Sequence, residues 1–452
     1  MTVARTLATF LTQTSYADLP PQTVEHAAML IASTIASAAC GSGITSATII
    51  RVLARERGGT PDASIWFDAG PRLPVADAAQ VNAVMSDAAA SDDSDLRNIV
   101  HAGTPLVATS LATAQRTGAS GQEVLAAIVL GYEAAGRIGE AITPGFRRRG
   151  FHGCLVAIFA AAVATARLLR LEAAPMAQAI ALSATSIGGL MAAANTSVAR
   201  EYHAGLAAML GVHAALAAQR GYMAEERILE THQGFFEVYG ATDVASVTRH
   251  LGQTWDIITD MAIKLVPGGH PYHALAEAAA NAARAGHIRP DDVETITVSR
   301  PDMTALTGPL HPADLIDMAH SPAYFLAAGV ADRDFSWVHA TPARIADPVI
   351  HQLIDKVRVG PPPTAHVEQY RQGATVTIQT RDGRTFSETV YAPKGAGVRG
   401  IDWTDVDAKY RALVPQAQVR QQQVEASLRL IHDFRHVRHV SALIDLLQEK
   451  HA

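Results

Sequence analysis

Three carboxylates, an arginine and a histidine crowd the stretch Ser91-Asp-Asp-Ser-Asp-Leu-Arg-Asn-Ile-Val-His-Ala-Gly103. Asp92 and Asp93 can orient an imidazole or cap the helix that Thr104-Pro105 introduces, Ser94 adds a hydroxyl, and His101 is a natural proton carrier near neutral pH. Four further places set an imidazole or a cation near a helix end. Arg147-Arg-Arg-Gly-Phe-His152 precedes an apolar run, where free backbone N–H groups and the helix dipole favour an anion. Arg200-Glu-Tyr-His203 brings a guanidinium able to grip a carboxylate through two parallel hydrogen bonds. Lys264-Leu-Val-Pro-Gly-Gly-His270-Pro-Tyr-His273 lies where the texture of the chain changes, a good place for a pocket. His320-Ser-Pro-Ala-Tyr324 separates an imidazole and a phenol by four positions, which share a helix face if Pro322 occupies the first turn.

Each place has a plainer reading. The aspartates can be helix caps beside a surface His101, residues 147–149 a solvated basic turn, and His203 or Tyr324 packed, hydrogen-bonded core groups. His270 and His273 have the spacing to ligate zinc from one helical turn, yet Pro271 and the lack of a nearby Cys or Glu at metal spacing argue against it. No metal and no other cofactor is expected. The chain has no Gly-x-Ser-x-Gly elbow, no His-Glu-x-x-His and no phosphate-loop sequence. The residues by themselves point to acid–base chemistry by histidines on a small anionic molecule.

The elements that must position these groups fall into two textures. The chain has 452 residues, 48% of them hydrophobic, enough for two domains with a large core. From Pro21 to about Glu230, alanine- and leucine-rich helical stretches alternate with short polar breaks. Thr104-Pro105 starts a helix over 106–115, Ser120 and Glu123 form a capping box before 124–138, and Glu172 precedes a helix over 173–191. After Pro267, residues 293–299 alternate like a strand, and residues 374–380 and 385–391 form a hairpin around Asp382-Gly383. Helical patterns over 314–330 and 348–357 lie between them, and residues 405–447 return to helical periodicity. The fold class is therefore mainly α with a smaller α+β domain. Its expected parts are a helical domain over 1–266, an α+β lid over 267–398, and C-terminal helices over 399–452 that rejoin the first part.

Net charge of −6 without a long basic run speaks against nucleic acid or an anionic membrane as partner. Two cysteines are too few for a disulfide framework or an iron–sulfur cluster. The apolar runs 29–40 and 154–169 fall short of a bilayer span. Residues 1–15 lack the apolar core of a signal peptide, so a cytoplasmic location is expected.

The order and spacing of the five places resemble the MmgE/PrpD family over nearly the whole chain. The resemblance rests on Asp92-Asp-Ser with His101-Ala-Gly, Gly131-Tyr-Glu133, Gly150-Phe-His152, Tyr202-His-Ala-Gly-Leu-Ala-Ala208, Gly234-Phe-Phe236, and Lys264 with Pro267 and His273. It implies a helical domain, an inserted lid with a pocket between the two, a homodimer, and a small polycarboxylate substrate. His101, His152, Lys264 and Tyr324 match the family's catalytic positions. Asp92, Asp93, Ser94, Arg200, His203, His270 and His273 are assigned to substrate binding. Ala90 stands where several members have an acid, Arg200 where they have lysine, and Gly269 where cis-aconitate decarboxylases have histidine. The expected activity is that of a hydro-lyase working by proton transfer next to a carboxylate. The alternatives are an epimerase or racemase of an amino- or imino-dicarboxylate, a decarboxylase of a cis-aconitate-like acid, and a carboxylate-binding protein without turnover.

Overall fold

The computed structural model describes residues 1–186, 188–301 and 303–448. It is mainly helical with a smaller region containing strands, and it divides into two compact units, Met1–Ile263 with the chain from Ile401 onward, and Lys264–Gly400.

The first unit opens with α1 (Val3–Gln13), α2 (Pro21–Gly41), α3 (Thr45–Arg57) and α4 (Val75–Ala88). Next come strand β1 (Asp93–Asp95), α5 (Gly103–Thr117), α6 (Gly121–Ile142), the single turn α7 (Gly145–Arg148), α8 (Cys154–Leu168), α9 (Ala173–Ser183), α10 (Met191–Thr196) and α11 (Ala199–Gln219). The short helices α12 (Phe235–Tyr239) and α13 (Asp256–Thr259) lead into β2 (Met261–Ile263). Helix α8 is the centre of this unit, packed against α5, α6, α9 and α11 and buried from Cys154 to Ala166. Its alanines allow that approach, as does Gly131 of α6, where a Cβ would stand 2.8 Å from the Ala160 carbonyl oxygen. Ser120 and Glu123 form the expected capping box at the start of α6, which fixes where that helix enters the core.

Helix α2 is longer than its apolar run suggests. At 21 residues it is long and apolar enough to cross a membrane, but 83% of its most apolar window is buried inside the protein. The C-terminal helices α19 (Trp403–Leu413) and α20 (Gln421–His432) pack on it, and α21 (Ser441–Gln448) packs on α20. Lys409 of α19 is 2% exposed and donates to Ser33 Oγ of α2 at 2.8 Å and to the Ser91 carbonyl. A segment far along the sequence thus grips the entrance to the acidic stretch.

The helix expected over 173–191 ends at Ser183, and the chain passes Gly188-Gly189 before α10 begins. Two adjacent glycines favour that break because helical glycine costs conformational entropy. The three-residue strands β1 and β2 are not among the expected strands, because they are too short for a period-2 signal. They pair antiparallel, Asp93 opposite Ile263 and Asp95 opposite Met261.

In the second unit the strands run in the order β4 (Val357–Val359), β3 (Val293–Ser299), β5 (Ala374–Thr380), β6 (Thr385–Val390). The β5–β6 pair is the expected hairpin, with Gly383 at φ +87° in its turn. Buried residues alternate along β5, α14 (His270–Ala285) lies against β5 and β6, and α16 (Pro322–Asp332) packs between α14 and α18 (Pro348–Ile354). The helix expected over 314–330 is two helices, α15 (Leu315–Ala319) and α16, separated where Pro322 cannot donate a backbone hydrogen bond. Another short helix, α17 (Pro342–Ile345), precedes α18, which stops at Ile354 so that the chain can extend into β4.

Candidate functional site

The acidic stretch is buried, against the plainer expectation of exposed caps. Asp92, Asp93, Ser94 and Asp95 are each no more than 2% exposed. Pairing with β2 holds their backbone, and Lys409 and Ser37 Oγ both donate to the Ser91 carbonyl just upstream. Downstream the chain doubles back. Asp95 N–H donates to the Val100 carbonyl at 2.9 Å, and Asp95 Oδ1 accepts from the N–H groups of Arg97 and Asn98. That turn delivers His101 beside the strand it followed.

The His101 Nδ1 lies 2.7 Å from the Asp93 carbonyl oxygen, 2.7 Å from Asp92 Oδ2 and 3.2 Å from Ser94 Oγ. A carbonyl only accepts, so Nδ1 carries the hydrogen and the neutral ring keeps its lone pair on Nε2. Asp93 also secures the next helix, since its Oδ2 accepts from Gly103 N–H at 3.0 Å, at the start of α5, and from the Tyr132 hydroxyl at 3.3 Å.

His152 precedes α8, and its N–H donates to the Gly189 carbonyl at 2.8 Å. Its ring centroid lies 6.1 Å from that of His101 and 5.4 Å from that of His203, which projects from the first turns of α11. Burial, then the charges of His101, His203, Arg200 and Arg147, push His152 well below the usual imidazole range, so it is neutral at pH 7. His203 is lowered by burial too, with Asp87 opposing. The Nδ1 atoms of His152 and His203 are enclosed and make no hydrogen bond among the described residues.

Arg200, also in the first turn of α11, donates from Nε to Asp87 Oδ2 at 2.7 Å and from a terminal nitrogen to the Asp87 carbonyl. Burial disfavours its charge, but Asp87 and Asp92 outweigh that and hold the guanidinium protonated. Glu201 turns away and accepts from Ser46 Oγ at 2.7 Å. His101, His152, His203, Arg200 and the aspartates thus form one cluster in the first unit.

The other candidates belong to the second unit. Lys264 is 1% exposed and His270 and His273 are buried in the first turn of α14, their ring centroids 4.7 Å apart. Pro271 is accommodated because the first turn needs no donor there. Tyr324 is fully buried in α16 and donates its hydroxyl to the His339 carbonyl at 2.9 Å; burial raises its pKa. Residues 320 and 324 do not share a helix face, although Pro322 does occupy the first turn of α16. His320 is the C-cap of α15, its Nδ1 hydrogen-bonded to the Ile316 carbonyl, and α16 starts only at Pro322.

Among the described residues, three metal-ligating side chains converge at His152, Cys154 and His203, not at His270 and His273. Burial pushes the Cys154 thiol up to about 12.

Sequence reasoning gave no role to Asp87, Tyr132, Lys409 or Arg97. Arg97 meets Asp256 at 2.7 Å, Glu140 at 2.8 Å and Asp260 at 3.5 Å. Burial and Asp260 push the neighbouring Asp95 up to about 6 while Arg97 opposes them. The motif Gly131-Tyr-Glu133 carried a signal for part of this. Glu133 accepts from Asp256 N–H at 2.8 Å and from Arg137, so this motif braces the two strands.

Two family models match the chain. The one described as MmgE/PrpD N-terminal domain covers residues 5–247, and the one described as MmgE/PrpD C-terminal domain covers 267–432. Similar curated proteins include the cis-aconitate decarboxylases of Homo sapiens, 24% identical over 85% of this chain and 82% of that protein, and of Mus musculus, 26% identical over 85% and 81%. The cis-aconitate decarboxylase of Aspergillus terreus is 27% identical over 84% of this chain and 82% of its own length.

Proposed function

We propose that this chain, which belongs to the MmgE/PrpD family of lyase- and isomerase-type enzymes acting on carboxylates, is a cofactor-independent hydro-lyase of a small di- or tricarboxylate. The observation that carries the reading is His101, its Nδ1–H fixed by the Asp93 carbonyl and Asp92, beside a neutral His152 and the Arg200 guanidinium.

In this reading His101 Nε2 takes a proton from the carbon next to a substrate carboxylate. The Asp92 carboxylate stabilises the imidazolium so formed, and Arg200 with Arg147 stabilises the charge that gathers on the substrate. The C–H pair of electrons becomes the new double bond, the C–O bond breaks, and the departing hydroxide leaves as water after taking a proton. His152, kept uncharged, is suited to pass that proton. Lys264 and Tyr324 enter the proposal through the family resemblance alone, as does the homodimer.

A second reading, decarboxylation, is favoured by the name that the three relatives carry. It uses the same electrostatics but breaks a C–C bond; His101, starting as the imidazolium that Asp92 stabilises, then delivers its Nε2 proton to the carbon that carbon dioxide leaves. The test is NMR of the protein in deuterium oxide with citrate-like, malate-like, amino-dicarboxylate and unsaturated tricarboxylate substrates. Deuterium entering next to a carboxylate, with water lost or gained, supports the hydro-lyase. Carbon dioxide release supports the decarboxylase, and inversion without elimination an epimerase. Binding across the panel with neither exchange nor product would replace all three with a carboxylate-binding protein. Loss of exchange in His101→Ala with retention of substrate binding is the expected result for the assigned base.

A further inference from the structure

We propose that His152, Cys154 and His203 form a binding site for a thiophilic divalent cation of the zinc class, and that its occupancy switches the enzyme off. One ligand atom from each side chain lies within 4.8 Å of the other two. In a filled tetrahedral site, bonds of about 2.0–2.3 Å place ligand atoms roughly 3.5 Å apart, so closure needs shifts of about 1 Å. Both imidazoles have a nitrogen to offer, because Nδ1 of His152, which is 8% exposed, and Nδ1 of His203 make no hydrogen bond among the described residues. Backbone surrounds the same point. Gly189 is fixed by the hydrogen bond from His152 N–H, and a Cβ at Gly189 would lie 2.4 Å from Cys154 Sγ and 2.7 Å from His203 Nδ1. Any larger residue there would occupy the space between two of the ligands.

Two imidazoles and one thiolate select zinc, cobalt(II) or a similar ion over magnesium or calcium, which prefer oxygen. On binding, the Cys154 S–H bond breaks, its proton leaves to the buffer, and an S–metal bond forms, with no change of oxidation state. Three protein ligands leave a fourth position for water or a carboxylate oxygen. The guanidiniums of Arg200 and Arg147 oppose the cation, while Asp87, 2.7 Å from Arg200, offsets part of that repulsion. A metal bond to His152 removes that ring from proton transfer. The inhibitory half of the proposal therefore rests on the proposed acid–base function, whereas the binding half does not.

Cobalt(II) separates the two halves. Titrated into the metal-stripped protein, it is expected to give one equivalent of tetrahedral d–d absorption with a thiolate-to-cobalt charge-transfer band. Cys154→Ser should abolish that band, Cys40→Ser should keep it, and His203→Gln should weaken cobalt affinity ~10-fold or more. Absence of a Cys154-dependent band, with no zinc retained in equilibrium dialysis, overturns the site whatever the enzyme's activity. Zinc should also inhibit turnover of the substrate found by NMR, reversibly with a chelator. Cys154→Ala should keep basal turnover and need ~10-fold more zinc for the same inhibition. A Cys154-dependent cobalt band with zinc-insensitive turnover would leave the site standing and overturn its role as a switch.

Discussion

Removing the Tyr132 hydroxyl tests whether α6 holds the His101 stretch in place. The hydroxyl donates to Asp93 Oδ2, and the backbone carbonyl of that same aspartate fixes His101 Nδ1. Burial, then the charges of Asp93 and Asp95, keeps the phenol protonated far above its usual range, so Tyr132→Phe changes one hydrogen-bond donor and no charge. A hydrogen bond to a charged acceptor contributes about 1.5–3 kcal/mol. At 3.3 Å this one is long for O–H···O, and Asp93 Oδ2 keeps the Gly103 N–H at 3.0 Å, so the lower end applies, about 1.5 kcal/mol. The assay is urea unfolding in a Trp337→Phe background, where emission reports Trp66, Trp255 and Trp403, all in the first unit. A double-mutant cycle with Asp93→Asn isolates the pair, with an expected coupling of about 1 kcal/mol. Turnover by Tyr132→Phe should fall while substrate binding changes less, because the loss is in the placement of the base. A coupling below about 0.3 kcal/mol, within the additivity error of distant sites, together with wild-type turnover, would refute the bracing role.

Acid should destabilise the fold through His152. Its folded pKa lies below the unfolded value, so below about pH 6.5 the unfolded chain binds a proton that the folded chain refuses, and stability falls with pH by at most ~1.4 kcal/mol per unit. Urea midpoints measured from pH 7 to pH 5 should therefore drop less in His152→Asn than in wild type; parallel curves would remove the argument. Lys409→Met deletes donors to Ser33 Oγ and the Ser91 carbonyl, while Ser37 Oγ still serves that carbonyl at 2.7 Å. The expected cost is about 2 kcal/mol, with faster hydrogen exchange at the amides of residues 91–103. Unchanged exchange there would mean that α19 does not position the stretch.

What the sequence made legible follows the range of the signal. The capping box at Ser120 and Glu123 and the hairpin at Asp382-Gly383 are local patterns, and both stand where the residues indicated. The break after Ser183 and the split at Pro322 depend on one pair of glycines and one proline competing with otherwise helical text, and a run of apolar residues hides them. At the site, His101, His152, Arg200 and His203 could be singled out as chemically capable residues. Their convergence could not be read without the family resemblance, because α8 and α11 bring together positions fifty residues apart. The partners were less legible still. Asp87 ends a helix of ordinary composition, Lys409 is a lone lysine in an amphipathic helix, and neither carries a spacing that marks it as buried.

The burial of Asp92, Asp93 and Asp95 is costly in a way that stability does not explain. Each carboxylate gives up hydration for partners inside the fold, among them His101 for Asp92, Gly103 N–H and Tyr132 for Asp93, and Arg97 with two backbone donors for Asp95. Replacing buried ionic groups by well-packed apolar ones is often neutral or stabilising, so a core with apolar residues at these positions would hold α4, α5 and α6 together at least as well. Such a core would keep the backbone carbonyl of position 93 on His101 Nδ1 but would leave the ring without a charge to compensate its imidazolium. The three aspartates are therefore better understood as the cost of placing one oriented imidazole beside another that burial keeps neutral.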